Sequence, residues 1–156
     1  MIRMRIGDVL LERKIITKEQ LDRALSIQEQ TKGMLGDILI KNGFVTEEQL
    51  IKAFSRQFGL PFASRANGLL VLSNKEELKT MIPEDFARSH QLTPLFIRDD
   101  TMGVAVADPM DVVTMDNLRI LSGKNLLVYL ATRSDITQML ETLYRSGKGG
   151  DEIGKM

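Results

Sequence analysis

An internal repeat near the start of the chain is the feature that most restricts its fold. Residues 5–28 align with residues 34–57 at a constant offset of 29 positions. Identical residues recur at matching places in the two copies, as in the pair Gly7 and Gly36 and the pair Gln28 and Gln57. Repeats of this kind are normally supersecondary units that bury their apolar faces against one another. We call the copies motif 1 (residues 5–28) and motif 2 (residues 34–57).

Each motif predicts two helices joined by a turn. Apolar residues follow helical spacing in the first part of each motif, as at Ile6 and Leu10. Thr17 and Thr46 are each followed three positions later by glutamine, which is the capping-box pattern that begins a helix. The sequence therefore predicts a four-helix tandem-repeat subdomain over residues 1–60.

The two motifs differ where their first helices end. Asn42-Gly43 supplies a glycine for the left-handed residue that commonly ends a helix, whereas motif 1 has Arg13-Lys14 at the same place. A left-handed Lys14 is expected to cost about 1 kcal/mol.

Beyond the repeat, the pattern changes to alternating helices and strands, so the expected fold class is α+β. Residues 61–73 are expected to be a linker or an edge strand, because Phe58-Gly59-Leu60-Pro61 stops the last helix of the repeat. Residues 74–145 are predicted to be a small α/β subdomain with about three strands, and the glycine-rich residues 146–156 a flexible tail. The predicted helices cover residues 74–81, 83–90, 111–122 and 134–144, and the predicted strands cover residues 92–97, 102–107 and 126–131.

Three local details belong to this prediction. Pro83 is expected in the first turn of its helix, and Ser134 is expected to cap the last helix. The turn at residues 98–101 is expected to join two strands as a hairpin with a somewhat longer loop.

The sequence carries no pattern typical of a catalytic site. There is no cysteine, and His90 is the single histidine, so a thiol nucleophile and a cysteinyl zinc site are excluded. A lone helical histidine is expected to be structural. Gly147-Lys148-Gly149 lacks the spacing of a phosphate-binding loop. We therefore expect a protein that is not an enzyme and that holds no metal and no cofactor.

The charge balance restricts the partners. The chain has 21 basic and 21 acidic residues, so it has no net positive charge that would attract nucleic acid or anionic lipid. No apolar run approaches the roughly 18 residues of a membrane span, so we expect no direct membrane insertion. The absence of cysteine favours a reducing compartment, and cytoplasm is the expected location.

The motifs themselves are the remaining candidates for a binding site. Gly7 and Gly36 lie near the starts of their motifs, where backbone N–H groups can meet an anion, and Arg5 adds a planar cation able to contact a phosphate or a guanine edge. Leucines at this spacing belong to the hydrophobic core more often than they line a ligand site, so periodicity alone favours a core role. The candidate apolar walls are Leu21, Leu25, Leu50 and Phe54.

The runs Arg5-Ile6-Gly7-Asp8-Val9-Leu10 and Leu35-Gly36-Asp37-Ile38-Leu39 resemble the N-terminal domain of type II secretion and type IV pilus assembly ATPases. In the branch called the MshEN domain, two such 24-residue motifs are joined by a five-residue spacer, here residues 29–33. The second half resembles the α/β subdomain of the family through Ile82-Pro83, the segment 104–109 and Asp116. The resemblance covers about residues 5–144.

The resemblance implies a regulatory domain that binds cyclic di-GMP through its paired motifs. Motif 1 has Lys14 where the family usually has glycine, and motif 2 has Met34 where a basic residue is common, with Lys32 nearby. The ligand-binding residues that the resemblance implies are Arg5, Ile6, Gly7, Leu21, Leu25, Gln28, Leu35, Gly36, Leu50, Phe54 and Gln57.

The resemblance also allows a different class of function, a protein-docking module that grips an inner-membrane platform protein of a secretion or pilus machine without binding nucleotide. A docking module of this kind would be indicated by an exposed apolar patch of roughly several hundred Å² that lies away from Gly7 and Gly36. Family members usually carry an ATPase domain, and no Walker motif occurs in this sequence. We therefore expect a stand-alone regulator or a piece of a longer ATPase.

Overall fold

The computed structural model describes residues 5–109 and 111–149. The chain folds as two compact units, unit 1 over residues 1–59 and unit 2 over residues 60–156. The described residues combine helices with a three-stranded sheet, as expected for an α+β fold. The elements are α1 (Ile6–Glu12), α2 (Lys18–Thr31), α3 (Leu35–Lys41), α4 (Glu47–Phe58), α5 (Lys75–Met81), α6 (Glu84–Ser89), β1 (Leu92–Arg98), β2 (Thr101–Val106), α7 (Val112–Ser122), β3 (Asn125–Leu130) and α8 (Arg133–Gly149).

Both predicted capping boxes are confirmed in unit 1. The Thr17 hydroxyl accepts from the Gln20 backbone N–H at 3.1 Å, and the Gln20 side chain accepts from the Thr17 N–H at 2.9 Å. Thr46 and Gln49 make the same pair of bonds at 3.0 and 2.9 Å. These bonds satisfy backbone donors that the first turns of α2 and α4 leave without a helical partner.

The helix ends of unit 1 depend on left-handed residues. Lys14 and Gly43 follow α1 and α3 with φ of 63° and 74°, which confirms the expected conformation of both. After α2 the left-handed residue is Lys32, and after α4 it is Gly59. Because α2 runs to Thr31, most of the predicted spacer between the motifs is helical.

The helices of unit 1 pack across the two motifs. α1 packs against α4, and α2 packs against α3, so each motif contributes one helix to each pair. The apolar residues that recur in the repeat meet between these pairs, and each fully buried leucine contributes roughly 1.5–3 kcal/mol. The core consists of Val9, Leu10, Ile16, Leu21, Ala24, Ile38, Leu39, Val45, Leu50 and Ala53.

Unit 2 is built on a mixed sheet in the order β1-β2-β3. β1 and β2 are antiparallel and form the predicted hairpin, whereas β2 and β3 are parallel and are connected through α7. A parallel pair requires such a crossover, because a tight turn can join only antiparallel neighbours. α5, α6 and α8 pack against β1.

Two local predictions in unit 2 are wrong. The hairpin loop contains only Asp99 and Asp100, because a left-handed Asp99 (φ 55°) closes the turn in two residues. Pro83 is the residue before α6, with ψ of 143°, and not a residue of its first turn. Within residues 61–73, Phe62 forms a single bridge with Leu130 of β3.

The last helix also differs from its prediction at both ends. Thr132, and not Ser134, caps it, since the Thr132 hydroxyl accepts from the Asp135 N–H at 3.1 Å. The helix continues past Tyr144 to Gly149, so residues 146–149 of the predicted flexible tail are helical. Once a helix is anchored by buried residues, each further residue adds a hydrogen bond at little nucleation cost. Residues 150–156 of the predicted tail lie outside the described residues.

Candidate functional site

The two glycines of the repeat occupy equivalent close contacts in unit 1. A Cβ built on Gly7 would lie 2.9 Å from Leu21 Cδ1, and one built on Gly36 would lie 2.9 Å from Leu50 Cδ2. These distances are shorter than the separation of carbon atoms in van der Waals contact, so a side chain at either glycine would displace the leucine. In both motifs, the glycine therefore allows the first helix to approach the leucine of the second.

The paired leucines belong to the core. Leu21 and Leu50 are only 8% and 7% exposed, and they fill the space that the glycines leave open. The core role that their spacing favoured is confirmed, and any contribution of these two side chains to a ligand wall stays a prediction.

The starts of the two motifs adjoin each other. The same Cβ on Gly7 would lie 3.5 Å from Leu35 Cδ2, so the first turn of α1 contacts the first residue of α3. Ile6 and Leu35 begin these two helices and are half-buried. Arg5 directly precedes α1; it is exposed, and its side chain makes no capping hydrogen bond.

The remaining candidates are more exposed than the paired leucines, although Phe54 still packs against the core. Leu25 on α2 is 41% exposed, while Phe54 on α4 is half-buried with its ring centroid 6.0 Å from that of Phe58. Gln28 and Gln57 are half-buried, and the Gln28 side-chain amide donates to the Gly33 carbonyl at 3.1 Å. That bond ties the end of α2 to the segment that leads into motif 2.

Unit 1 also has a surface depression that the sequence did not indicate. It is open, has a volume of about 660 Å³, and lies beside the first turn of α2. None of the eleven predicted ligand residues lines it. Its lining residues are Thr17, Glu19, Gln20, Asp22, Arg23 and Phe44.

The single histidine, His90, belongs to a hydrogen-bond network in unit 2, which agrees with the structural role expected of it. The Thr114 hydroxyl donates to Asp111 Oδ2 at 2.6 Å and lies 3.0 Å from His90 Nδ1. Since the hydroxyl proton is directed at Asp111, His90 Nδ1 is the donor in the second bond. The network joins the residue after α6 to the cap of α7. Over residues 5–109 and 111–149, no group of three or more histidine, aspartate or glutamate residues could hold a metal ion.

A second polar cluster in unit 2 surrounds Arg88. The Arg88 guanidinium pairs with Glu84 at 2.8 Å and with Glu141 at 3.2 Å, and its hydrogen bond to Glu84 raises its pKa. The neighbouring Tyr144 hydroxyl donates to the Ile82 carbonyl at 2.7 Å. Burial raises the pKa of Tyr144 to about 12. The pair Arg88–Glu141 links α6 to α8, and the Tyr144 hydrogen bond links α8 to Ile82, the residue after α5.

Helix α7 has several apolar side chains that are exposed to solvent. Val113 and Ile120 are 71% and 78% exposed, and Val112 and Leu121 are exposed as well. Thr114 and Leu118, from the opposite side of the same helix, are buried. In the part of the chain that the structure describes, no helix is long and apolar enough to cross a membrane.

Comparison with known proteins agrees with this architecture. The family model of the MshEN domain matches residues 58–150, more than half of the chain. The chain is 26% identical over 140 residues to the type IV pilus assembly ATPase PilB of Myxococcus xanthus, covering 90% of the chain and 24% of that protein. It is 28% identical over 151 residues to the type II secretion system protein E of Xanthomonas campestris, covering 92% of the chain and 25% of that protein. The chain thus spans about a quarter of the length of the curated relatives it matches.

Two solved structures extend the similarity to the tandem motifs. A structure of MshE with cyclic di-GMP superposes with a TM-score of 0.76 at 28% identity, covering 91% of this chain and all of that one. The N-terminal domain of XpsE superposes with a TM-score of 0.74 at 26% identity, covering 90% and 94% of the two chains. The fold is therefore that of the N-terminal domains of secretion and pilus assembly ATPases. Within that class, the chain belongs to the MshEN domain family.

Proposed function

We propose that this chain is a non-catalytic regulatory domain that binds cyclic di-GMP through its two tandem motifs and acts in the cytoplasm on type II secretion or type IV pilus machinery. The observation that carries the proposal is the duplicated close approach of glycine and leucine, where a Cβ on either Gly7 or Gly36 would lie 2.9 Å from the leucine of the same motif, at the place where the motif starts adjoin. Because this arrangement occurs once in each motif, it suits a ligand whose two halves are identical. The similarity to MshE with cyclic di-GMP, which spans all of that chain, supports the same ligand.

The distribution of exposed apolar side chains supports the location of the site. Among the described residues of unit 1, the large apolar side chains that are exposed are Leu25 and Met34. Both belong to motif positions, and Leu25 is one of the predicted ligand residues. An exposed leucine side chain offers a guanine base an apolar surface, and an exposed arginine such as Arg5 offers it a cation.

The test is a calorimetric titration of the chain with cyclic di-GMP, with GTP as the control ligand. We expect saturable binding of cyclic di-GMP that GTP does not reproduce. Arg5→Ala should weaken binding by about tenfold or more, because a charge-assisted contact to phosphate or guanine is lost.

The matched control is Arg13→Ala, which removes the same charge from the other end of α1, where Arg13 is also exposed. Its affinity should equal that of the wild type. Absence of heat with cyclic di-GMP at millimolar concentration would refute receptor function, and equal losses in the two variants would refute the assignment to Arg5.

A second candidate function is favoured by α7 in unit 2. Its exposed side chains, Val112, Val113, Ile120 and Leu121, are the feature expected of a docking module for an inner-membrane platform protein or an assembly ATPase. Ile120→Asp should lower capture of the platform protein's cytoplasmic domain, whereas Val71→Asp, at an exposed apolar residue outside α7, should not. Equal capture by both variants would remove this candidate.

A further inference from the structure

The exposed side of α7 carries an apolar residue near each end. Among the described residues, Val113 and Ile120 are the two most exposed large apolar side chains. They lie seven residues apart, which is two turns of an α-helix, so they lie on one line along it. Val112 and Leu121 are exposed on either side of this line, whereas Leu118 faces away from it and is buried. We call Val113, Ile120 and the exposed residues between them the α7 face.

The middle of the α7 face is charged. Asp116 and Arg119 are exposed and lie between Val113 and Ile120 in the sequence. The Arg119 guanidinium donates to Asp116 Oδ1 at 2.8 Å. Helical spacing places both charged residues on the same side of the line through Val113 and Ile120. The α7 face therefore has an apolar residue at each end and one charge of each sign along one margin.

A surface with this arrangement is complementary to itself. Two antiparallel copies of α7 are related by a two-fold axis, and such an axis brings the same surface of both copies into contact. With the axis beside residues 116 and 117, Val113 of one copy lies opposite Ile120 of the second copy. Asp116 of one copy then comes within reach of Arg119 of the second copy, because both lie along the same margin. Each of these contacts forms twice.

We propose that the α7 face pairs with the α7 face of a second copy of this chain, antiparallel and about a two-fold axis. The charges carry the choice of partner, because the second copy supplies a cation opposite Asp116 and an anion opposite Arg119. An inner-membrane platform protein would have to occupy the same face, so the two partners exclude each other. The inference does not depend on the binding of cyclic di-GMP.

The size of α7 sets the expected strength of this contact. An 11-residue helix is about 16 Å long, so a pair of such helices buries less than the roughly 1,200 Å² of a standard stable interface. Exposed ion pairs add little to the affinity and serve mainly to fix the alignment of the helices. We therefore expect a weak, reversible dimer whose population rises with protein concentration.

The first experiment measures the dimer dissociation constant by sedimentation over a series of protein concentrations. Ile120→Asp should raise it by about tenfold or more, because the substitution occurs twice in a two-fold dimer and places a carboxylate opposite Val113. Val71→Asp is the matched control, since it changes an exposed apolar residue outside α7 in the same way and should dimerise like the wild type. Thermal unfolding checks that each variant is folded.

The second experiment tests the alignment through the charges. Asp116→Arg and Arg119→Asp each place like charges opposite one another, so each variant alone should dimerise at least about threefold more weakly than the wild type. An equal mixture of the two variants should associate more tightly than either alone, because opposite charges then face each other. The pair within each chain stays broken in both variants, so this recovery can come only from contact between copies.

Three results would overturn the inference. The wild-type chain could stay monomeric at every concentration, Ile120→Asp could dimerise like Val71→Asp, or the mixture of charge variants could associate no more tightly than its components. If the wild type is monomeric and Ile120→Asp lowers capture of the platform protein, the α7 face belongs to that partner and not to a second copy.

Discussion

Lys14 and Gly43 occupy the same place in the two motifs, and both have a left-handed backbone, with φ of 63° and 74°. A residue with a Cβ loses about 1 kcal/mol in this conformation, and glycine does not. Lys14→Gly should therefore raise the free energy of unfolding by about 1 kcal/mol in a urea titration.

The control for this prediction is Lys14→Ala, which shortens the side chain but keeps the Cβ. It should leave stability within about 0.5 kcal/mol of the wild type, as for an exposed surface change. An equal gain from both substitutions would show that the lysine side chain, and not the backbone conformation, sets the cost.

The contact between Gly36 and Leu50 predicts the opposite result for a substitution in α3. Glycine to alanine in a helix usually stabilises by about 1 kcal/mol. At Gly36, however, the new Cβ would lie 2.9 Å from Leu50 Cδ2, so overpacking should make the net change destabilising by about 1 kcal/mol or more.

Leu50→Val removes the Cδ atoms that the new methyl group would meet. The double variant Gly36→Ala/Leu50→Val should therefore lose less stability than the sum of the two single variants, by at least about 0.5 kcal/mol. Additive losses in denaturant titrations would argue against a direct contact.

Tyr144 predicts a pH dependence at the alkaline end. The pKa of its phenol is about 12 in the folded protein, against about 10 for an unfolded tyrosine. The folded state therefore binds this proton more tightly, so its contribution to stability is complete below about pH 10 and is lost as pH rises through about 12.

Tyr129→Phe isolates this titration, because Tyr129 and Tyr144 are the two tyrosines of the chain. In that variant, the phenolate absorbance of the folded protein should have its midpoint at about 12. A midpoint near 10 would mean that the phenol is not buried against the Ile82 carbonyl.

Leu25 predicts an effect on binding with a smaller effect on folding. Because this side chain is 41% exposed on α2, Leu25→Ser should lower the free energy of unfolding by only about 1 kcal/mol while weakening cyclic di-GMP binding several-fold through loss of apolar contact. Ile120→Ser on α7 is the matched control, since it also makes an exposed apolar residue polar and should bind with wild-type affinity. Unchanged affinity in Leu25→Ser would remove Leu25 from the site.

The features that the sequence predicted well depend on neighbours close in the chain. The capping threonines and the left-handed Gly43 need only residues within one turn, so their patterns are sufficient. The prediction of the α8 cap is wrong because Thr132 and Ser134 both carry a hydroxyl group, and the local pattern alone does not distinguish the one that accepts from the Asp135 N–H.

Features that depend on distant residues were not predictable in this way. The repeat pointed to Gly7 and Gly36 as places for an anion to approach, but their contacts with Leu21 and Leu50 appear only when the helices are packed. The apolar spacing of α7 likewise does not reveal that Ile120 lies on the uncovered side.

The pairing of α1 with α4 and of α2 with α3 has a consequence for how the two copies can diverge. Neither copy is self-sufficient, because each of its helices completes its packing on a helix of the other copy. A single motif without the other would lose the helices against which its own two helices pack. The smallest unit that we expect to fold is therefore the pair of motifs. Changes such as Lys14 and Met34 lie at exposed positions, where one copy can vary without a compensating change in the other.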